Sequence, residues 1–439
     1  MSPREGIRVV TTSTPGESAP FTQSRDFWVI IGWAAVLGVL GGLFGLLFMW
    51  VIDVGNNWYS YSDPGWMGGH WWWVAATGAA GIVVGLLHML THLPDKTPGI
   101  IAELADESVD EHQVVGTVLV SAASLIGGAS LGPEKALGSF GGGVGQWLAR
   151  RAGLSQEDIQ VTTLSGFGGA YGGVFSSTIV VVLMILEVAR PGGPKFTKIL
   201  ISSIVSSSIS FGIYFAVAGA LFLGAYDVPA YDFKTWQLLA GVGLGLVAAA
   251  VVTLMGLIIA GAARLFDQIK APSLVKSTIG GITFGIIGVV LPLTMFTGTS
   301  QLGVVLKDGS TLGLGLVLAL VIAKAITFGV SLGSGFVGGP IFPSLFVGGA
   351  AGVAVHLAVP DLPLGLTFTC MLAAVVGGMV SAPFAMVLFA AFTTQVGALN
   401  TAPVLIAVVT SYLTVEAVKY LLASRKQAAT TTKAEPPAG

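Results

Sequence analysis

Charge is what this chain has least of. Of its 439 residues only 10% are Asp, Glu, Lys or Arg, while 54% are hydrophobic; a soluble domain carries about 25% charged residues. A water-soluble fold this poor in charge would expose large apolar patches and aggregate. The net charge of −2 gives no bulk electrostatic basis for binding nucleic acid or strongly charged partners. Cysteine is nearly missing as well. Cys370 stands alone, which excludes an intramolecular disulfide and any cysteine-built metal cluster. The five histidines, His70, His88, His92, His112 and His356, are scattered. His88 and His92 have the i, i+4 spacing of a metal pair, but no acidic ligand is expected to face them and a helix end explains them as well. No nucleophile–base–acid set is recognisable, so neither an enzyme nor a cofactor is expected.

Glycine, in contrast, is abundant at 62 residues, and in transmembrane helices glycine lets backbones approach closely. The little charge present is confined to short stretches. Phe27 to Ile52, Gln113 to Pro133, Gln160 to Leu186, Ile199 to Tyr226, Thr235 to Ala263 and Ser277 to Leu306 contain none. Pro64 to Pro94 is another such run, and Leu362 to Val415 is long enough for more than one crossing. Each run can span a hydrocarbon core of about 30 Å as a helix. They do not alternate as barrel strands would, so the expected class is an all-α integral membrane protein. The run from Phe27 is too long for a signal-peptide core and is read as the first span.

Two apolar stretches are broken. Ala136 to Ala149 carries five glycines, and Phe336 to Gly352 is interrupted by Gly338, Gly339, Pro340 and Pro343. Such segments predict half-helices meeting near the bilayer midplane. They also recur. Gly132-Pro133 followed by Phe140-Gly141-Gly142 resembles Gly339-Pro340 followed by Phe346 and Gly348-Gly349, at an offset of 207 residues. Gly172-Gly173-Val174-Phe175-Ser176-Ser177 resembles Gly377-Gly378-Met379-Val380-Ser381-Ala382 at 205. The expected organisation is an unstructured tail (1–24), two related halves (25–226 and 227–426) and a second tail (427–439). Arg25 at one end and Lys419, Arg425 and Lys426 at the other place both termini in the cytoplasm.

Three breakpoints put Gly and Pro just ahead of a helix-like run: Thr97-Pro98-Gly99-Ile100, Gly132-Pro133-Glu134-Lys135 and Gly338-Gly339-Pro340-Ile341-Phe342-Pro343. Proline suits a first helical turn, whose free N–H groups and positive dipole end attract anions. Three converging N-termini would hold a small anion without the grip of a buried Lys or Arg. Glu134 is an ionisable group inside a long apolar region, which makes a functional role the default. Ionised, it would occupy the anion's place; protonated, it would move aside. The competing role is a simple ion pair with Lys135.

These motifs, with Ile185-Leu186-Glu187-Val188-Ala189-Arg190-Pro191, resemble in order and spacing the signatures of the CLC chloride channel and chloride–proton antiporter family, prokaryotic type. The resemblance extends over about residues 27–420, although no single motif is identical. It implies a multi-pass cell-membrane homodimer in the lipid bilayer. Each subunit would carry one anion pathway built from an inverted repeat of tilted, broken helices. It implies Glu134 as gating glutamate and Pro98, Gly99 and Ile100 at the central anion site, with Ile341 and Phe342 donating N–H groups. It implies transport of a small inorganic anion, chloride first, as a channel or a proton-coupled antiporter. Several positions depart from the family. Pro98 stands where the family has serine, which leaves nitrate and fluoride open. Val188 stands where many exchangers have an internal proton-transfer glutamate, with Glu187 beside it as an alternative proton path. The coordinating tyrosine of the last helix has no exact counterpart; counting from Pro403 reaches Ser424, and Tyr420, one turn earlier, is the candidate for anion binding. Too few residues follow Arg425 for the cytoplasmic nucleotide-binding pair of many eukaryotic members. The alternative is an inverted-repeat secondary transporter of another class, for which acidic cation sites would be expected.

Overall fold

The structure is a computed structural model and describes residues 25–57, 69–94 and 96–434, with side chains described from Phe27 to Ser424. The expected tail 1–24, the start of the run from Pro64, and the side chains of Arg25, Arg425 and Lys426 lie outside these residues. Among the described residues the chain forms helices and no strand beyond one isolated bridge. The helices are α1 (Arg25–Asn57), α2 (Trp72–Thr91), α3 (Ile100–Ala105), α4 (Val114–Ile126), α5 (Glu134–Arg151), α6 (Gln156–Gly172), α7 (Thr178–Ala189) and α8 (Gly193–Ala218). They continue as α9 (Trp236–Gln268), α10 (Ser273–Val290), α11 (Thr299–Gly333), α12 (Ile341–Ala358), α13 (Leu364–Val380), α14 (Pro383–Thr394) and α15 (Thr401–Ala434). Among the described residues, eight helices are long and apolar enough to cross a membrane.

The uncharged runs divide into two kinds. Those from Phe27, Ile199 and Thr235 become the single long helices α1, α8 and α9. Three others do not cross as one helix. Gln113 to Pro133 forms only the 13-residue α4 and then an extended loop. Gln160 to Leu186 breaks after Gly172 into α6 and α7, where the Ser177 hydroxyl accepts from the Val180 N–H and starts a new helix. Ser277 to Leu306 breaks at Pro292, between α10 and α11. α11 is itself interrupted at Gly313, whose φ of 73° and ψ of 160° lie outside any helix. At the C-terminus α15 runs on to Ala434, so residues 427–434 are helical and not the unstructured tail expected of them.

Helix packing repeats itself along the chain. α1 packs on α8 and α6, α5 on α6, and α6 on α8. Likewise α9 packs on α15 and α13, α12 on α13, and α13 on α15. Two pairs join these sets, α2 with α10 and α7 with α14. Glycine permits the closest crossings: a Cβ on Gly141 of α5 would run into the backbone of Gly166 on α6, and the reverse also holds. α12 and α13 are buried almost from end to end, whereas α1, α2 and α9 present Leu43, Leu90, Leu239 and similar residues outwards. That distribution suits a bundle whose solvent is lipid and whose half-helices lie inside.

Candidate anion pathway

The loops ahead of α5 and α12 meet head to head. Gly132 N–H donates to the Gly339 carbonyl at 2.9 Å, and Gly339 N–H donates back to Gly132 at 2.7 Å. These are the two positions that the sequence repeat equates. Proline follows each, at Pro133 and Pro340, and a helix starts one residue later. The bridge therefore fixes two helix N-termini against each other.

Glu134 sits at that junction, fully buried. Its Oε1 accepts from the N–H of Ile341 at 2.8 Å and of Phe342 at 3.2 Å, the first turn of α12. The carboxylate thus occupies a helix N-terminal anion seat. Its Oε2 has no hydrogen-bond partner. Glycine at 132 and 339 makes the pocket, because a Cβ at either would strike this carboxylate. The Tyr171 hydroxyl, also fully buried, donates to the Glu134 backbone carbonyl at 2.9 Å.

Lys135 takes no part in holding Glu134. Its ammonium pairs at 2.5 Å with Glu103 of α3, whose other oxygen accepts from Ser139 at 3.2 Å. The expected alternative, Lys135 pairing with its neighbour, fails because successive helical residues diverge and Glu103 lies on the side that Lys135 faces. A second buried ammonium, Lys324 on α11, is fully enclosed. It donates to the carbonyls of Thr294 (3.1 Å), Met295 (3.2 Å) and Phe296 (2.7 Å) and lies 5.2 Å from the Phe346 ring centre.

The third breakpoint adjoins the first two without joining the bridge. Pro98 and Gly99 line a cavity of about 670 Å³ whose wall also includes Lys135 and the loop from Ser334 to Gly338. Ile100, 3% exposed, starts α3. A Cβ on Gly138 of α5 would run into the Ile100 side chain and the Tyr171 hydroxyl, so the two close over one spot of that helix. Pro98 also borders a smaller cavity of about 180 Å³ lined by Glu103, Asp106 and Asp110.

Two expected residues fall elsewhere. Tyr420 is 74% exposed on the outer side of α15 and lines neither cavity. α15 continues as one 34-residue helix through that stretch. Tyr171 is the tyrosine beside Glu134, and nothing in its sequence context signals this. Glu187 accepts from the N–H groups of Phe384 and Ala385, both at 2.8 Å, and so caps α14. Val188 is buried in the apolar core. The spaced histidines do not form a metal pair. His88 spends both ring nitrogens on carbonyl oxygens, and His92 adopts the left-handed conformation that ends α2.

A helical bundle of this kind, with half-helices meeting end to end around a buried carboxylate, defines a polytopic membrane transport protein. The family described as Voltage gated chloride channel matches residues 95–416, and the chain belongs to that family. Its activity is anion transport across the membrane. Relatives named "Putative ion-transport protein YfeO" include one from Salmonella choleraesuis (strain SC-B67), 25% identical over 332 residues, covering 74% of this chain and 77% of the relative. Another, from Salmonella typhimurium (strain LT2), is 25% identical over 320 residues, covering 71% and 74%. Among solved structures, a slow cyanobacterial Cl⁻/H⁺ antiporter superposes with a TM-score of 0.75 at 17% identity, covering 91% of this chain and 98% of that one. A CLC-type fluoride/proton antiporter gives 0.75 at 16%, covering 90% and 96%.

Proposed function

We propose that this protein carries a small inorganic anion, chloride first, between the Pro98–Gly99 cavity and the N-terminus of α12, with Glu134 as a gate that competes with the anion. The observation that carries this reading is the pair of N–H groups, from Ile341 and Phe342, held by the Glu134 carboxylate. An incoming anion needs the same donors, so seat and gate are one place. Protonated, the side chain no longer needs an anion seat and yields it. Gly99 and Ile100 complete the cavity end of the path.

Coupling to protons follows from the same competition, since each release of Glu134 takes up a proton. The solved antiporters of this fold exchange chloride or fluoride for protons, and exchange is the reading we favour here. Pro98 offers neither a hydroxyl nor an N–H, which weakens commitment to chloride and brings nitrate and fluoride within range. We further propose two inverted halves joined at 226–227, a homodimer, and both termini in the cytoplasm. The paired packing of α1–α8 and α9–α15 supports the duplication. Under this topology α1 leads out and α2 returns, so the 670 Å³ cavity opens to the cytoplasm.

The experiment is flux from proteoliposomes, with the anion followed by electrode and protons followed in parallel. Anion movement that drives protons uphill supports exchange. Anion movement without protons makes the protein a channel. No flux of chloride, nitrate or fluoride would remove the reading.

A further inference from the structure

His88 is buried at 3% exposure near the end of α2, in the wall of the large cavity. Both of its ring nitrogens face carbonyl oxygens. Nδ1 lies 3.1 Å from Leu93 O, and Nε2 lies 2.7 Å from Gly335 O. A carbonyl only accepts. A neutral imidazole has one N–H and one lone pair, so it can satisfy one of these contacts and must turn a lone pair on the other oxygen. Only the doubly protonated ring donates to both.

The second contact reaches the anion seat. Gly335 has a φ of +94°, a conformation that suits glycine and turns its carbonyl to the ring. The loop it opens is pinned next by Val337 N–H on the Ser124 hydroxyl at 3.1 Å, then by the Gly132–Gly339 bridge. It ends in the N–H groups that hold Glu134. The charged groups around the cavity have their own arrangements. Lys96 pairs with Asp267 at 2.8 Å, Lys135 pairs with Glu103, and Lys276 lies on α10. α4 and the Ser334–Pro340 loop bring no ionisable side chain, and His92 on α2 is exposed. No carboxylate meets the His88 ring, so its proton is held by the two carbonyls.

We infer that His88 is a proton-binding positioning residue on the cavity side: its doubly protonated ring clasps Leu93 and Gly335 together and so ties the end of α2 to the loop that presents Ile341 and Phe342 to the anion. Loss of either ring proton turns a lone pair on one of the two carbonyls and loosens that clasp. This gives the protein a proton-responsive group on the side where Val188 offers none, separate from Glu134. The flux arm of the test rests on the transport reading above; the ring-proton arm does not.

The test uses the full chain in lipid nanodiscs with histidine ring ¹⁵N labelling, His88 being assigned by its loss in His88→Gln. Two protonated nitrogens are expected for His88 where the ring spans both carbonyls. A single protonated nitrogen throughout the acid range overturns the inference, whether or not the protein moves anions. In proteoliposomes, His88→Gln is expected to lower anion flux roughly tenfold, the equivalent of one hydrogen bond to a charged group. His88→Lys keeps a permanent cation that can donate to both carbonyls, and should restore flux while removing its dependence on cavity-side pH. If both variants keep the wild-type cavity-side pH profile, His88 is only a packing residue and the inference is wrong.

Discussion

Replacing Glu134 by Gln tests the shared seat most directly. On the proposed gating, an ionised carboxylate competes with the anion for the N–H groups of Ile341 and Phe342, which Glu134 holds in the structure. Hydrogen bonds to a charged acceptor contribute about 1.5–3 kcal/mol each, and those to a neutral one about 0.5–1.5 kcal/mol. Over two bonds the amide is the weaker competitor by about 2 kcal/mol, roughly 30-fold in the anion's apparent affinity. An amide is also cheaper to bury than a carboxylate, which trims this gain, so about tenfold tighter anion binding is the working figure. Titration calorimetry with chloride in detergent measures it. The same variant has no proton to gain at the gate. Wild-type flux should rise as pH falls on the gate side with cavity pH clamped; Glu134→Gln should show no such rise and no proton coupling. Wild-type chloride affinity together with an intact gate-side pH response in Glu134→Gln would refute the reasoning and place the gate elsewhere.

The remaining predictions use neighbouring residues. Breaking the buried Glu103–Lys135 pair from one side, as Lys135→Met, should cost about 3–5 kcal/mol because an unpaired charge stays behind, whereas Glu103→Leu with Lys135→Met should recover most of it; thermal unfolding in detergent compares the three proteins. Gly339→Ala puts a methyl group where the Glu134 carboxylate lies, so its anion flux should become insensitive to gate-side pH. Pro98→Ser supplies a hydroxyl and an N–H beside the cavity and should shift the ranking towards chloride over nitrate; an unchanged order of anions in electrode-detected efflux would put Pro98 outside the selectivity site.

Residues whose role follows from local chemistry were legible in the sequence; those whose role depends on a partner hundreds of residues away were not. A Pro ahead of a helical run announces an N-terminus by itself, and Pro133 and Pro340 each stand one residue before a helix. A lone carboxylate in an apolar stretch announces a special environment, and Glu134 has one. Uninterrupted hydrophobicity, however, says nothing about where a helix stops. Gln160 to Leu186 contains no charge and still breaks at Ser177, because a side-chain hydroxyl there caps a new helix. Lys135 lay beside an acid in sequence and chose Glu103, 32 residues away. Glu187 stands beside Val188 in sequence, but nothing local signals that its carboxylate accepts from the N-terminus of α14, 197 residues on. Tyr171 has no signal at all, since its only mark is a hydroxyl aimed at a backbone carbonyl.

The sequence repeat bears on where the seat lies. Gly132 and Gly339 occupy matching places in it and hydrogen-bond to each other. At that place α5 and α12 begin, each with the positive dipole end and free N–H groups of a helix N-terminus. Neither helix could do this alone, since a single N-terminus buried in lipid would leave its donors unsatisfied. The Glu134 carboxylate satisfies two of them, on Ile341 and Phe342. The protein keeps two buried ammonium groups close by but gives each its own partners, Glu103 for Lys135 and three carbonyls for Lys324. On the proposed path an anion arriving at α12 would therefore meet dipoles in place of a free ammonium, held strongly enough to displace Glu134 but weakly enough to leave.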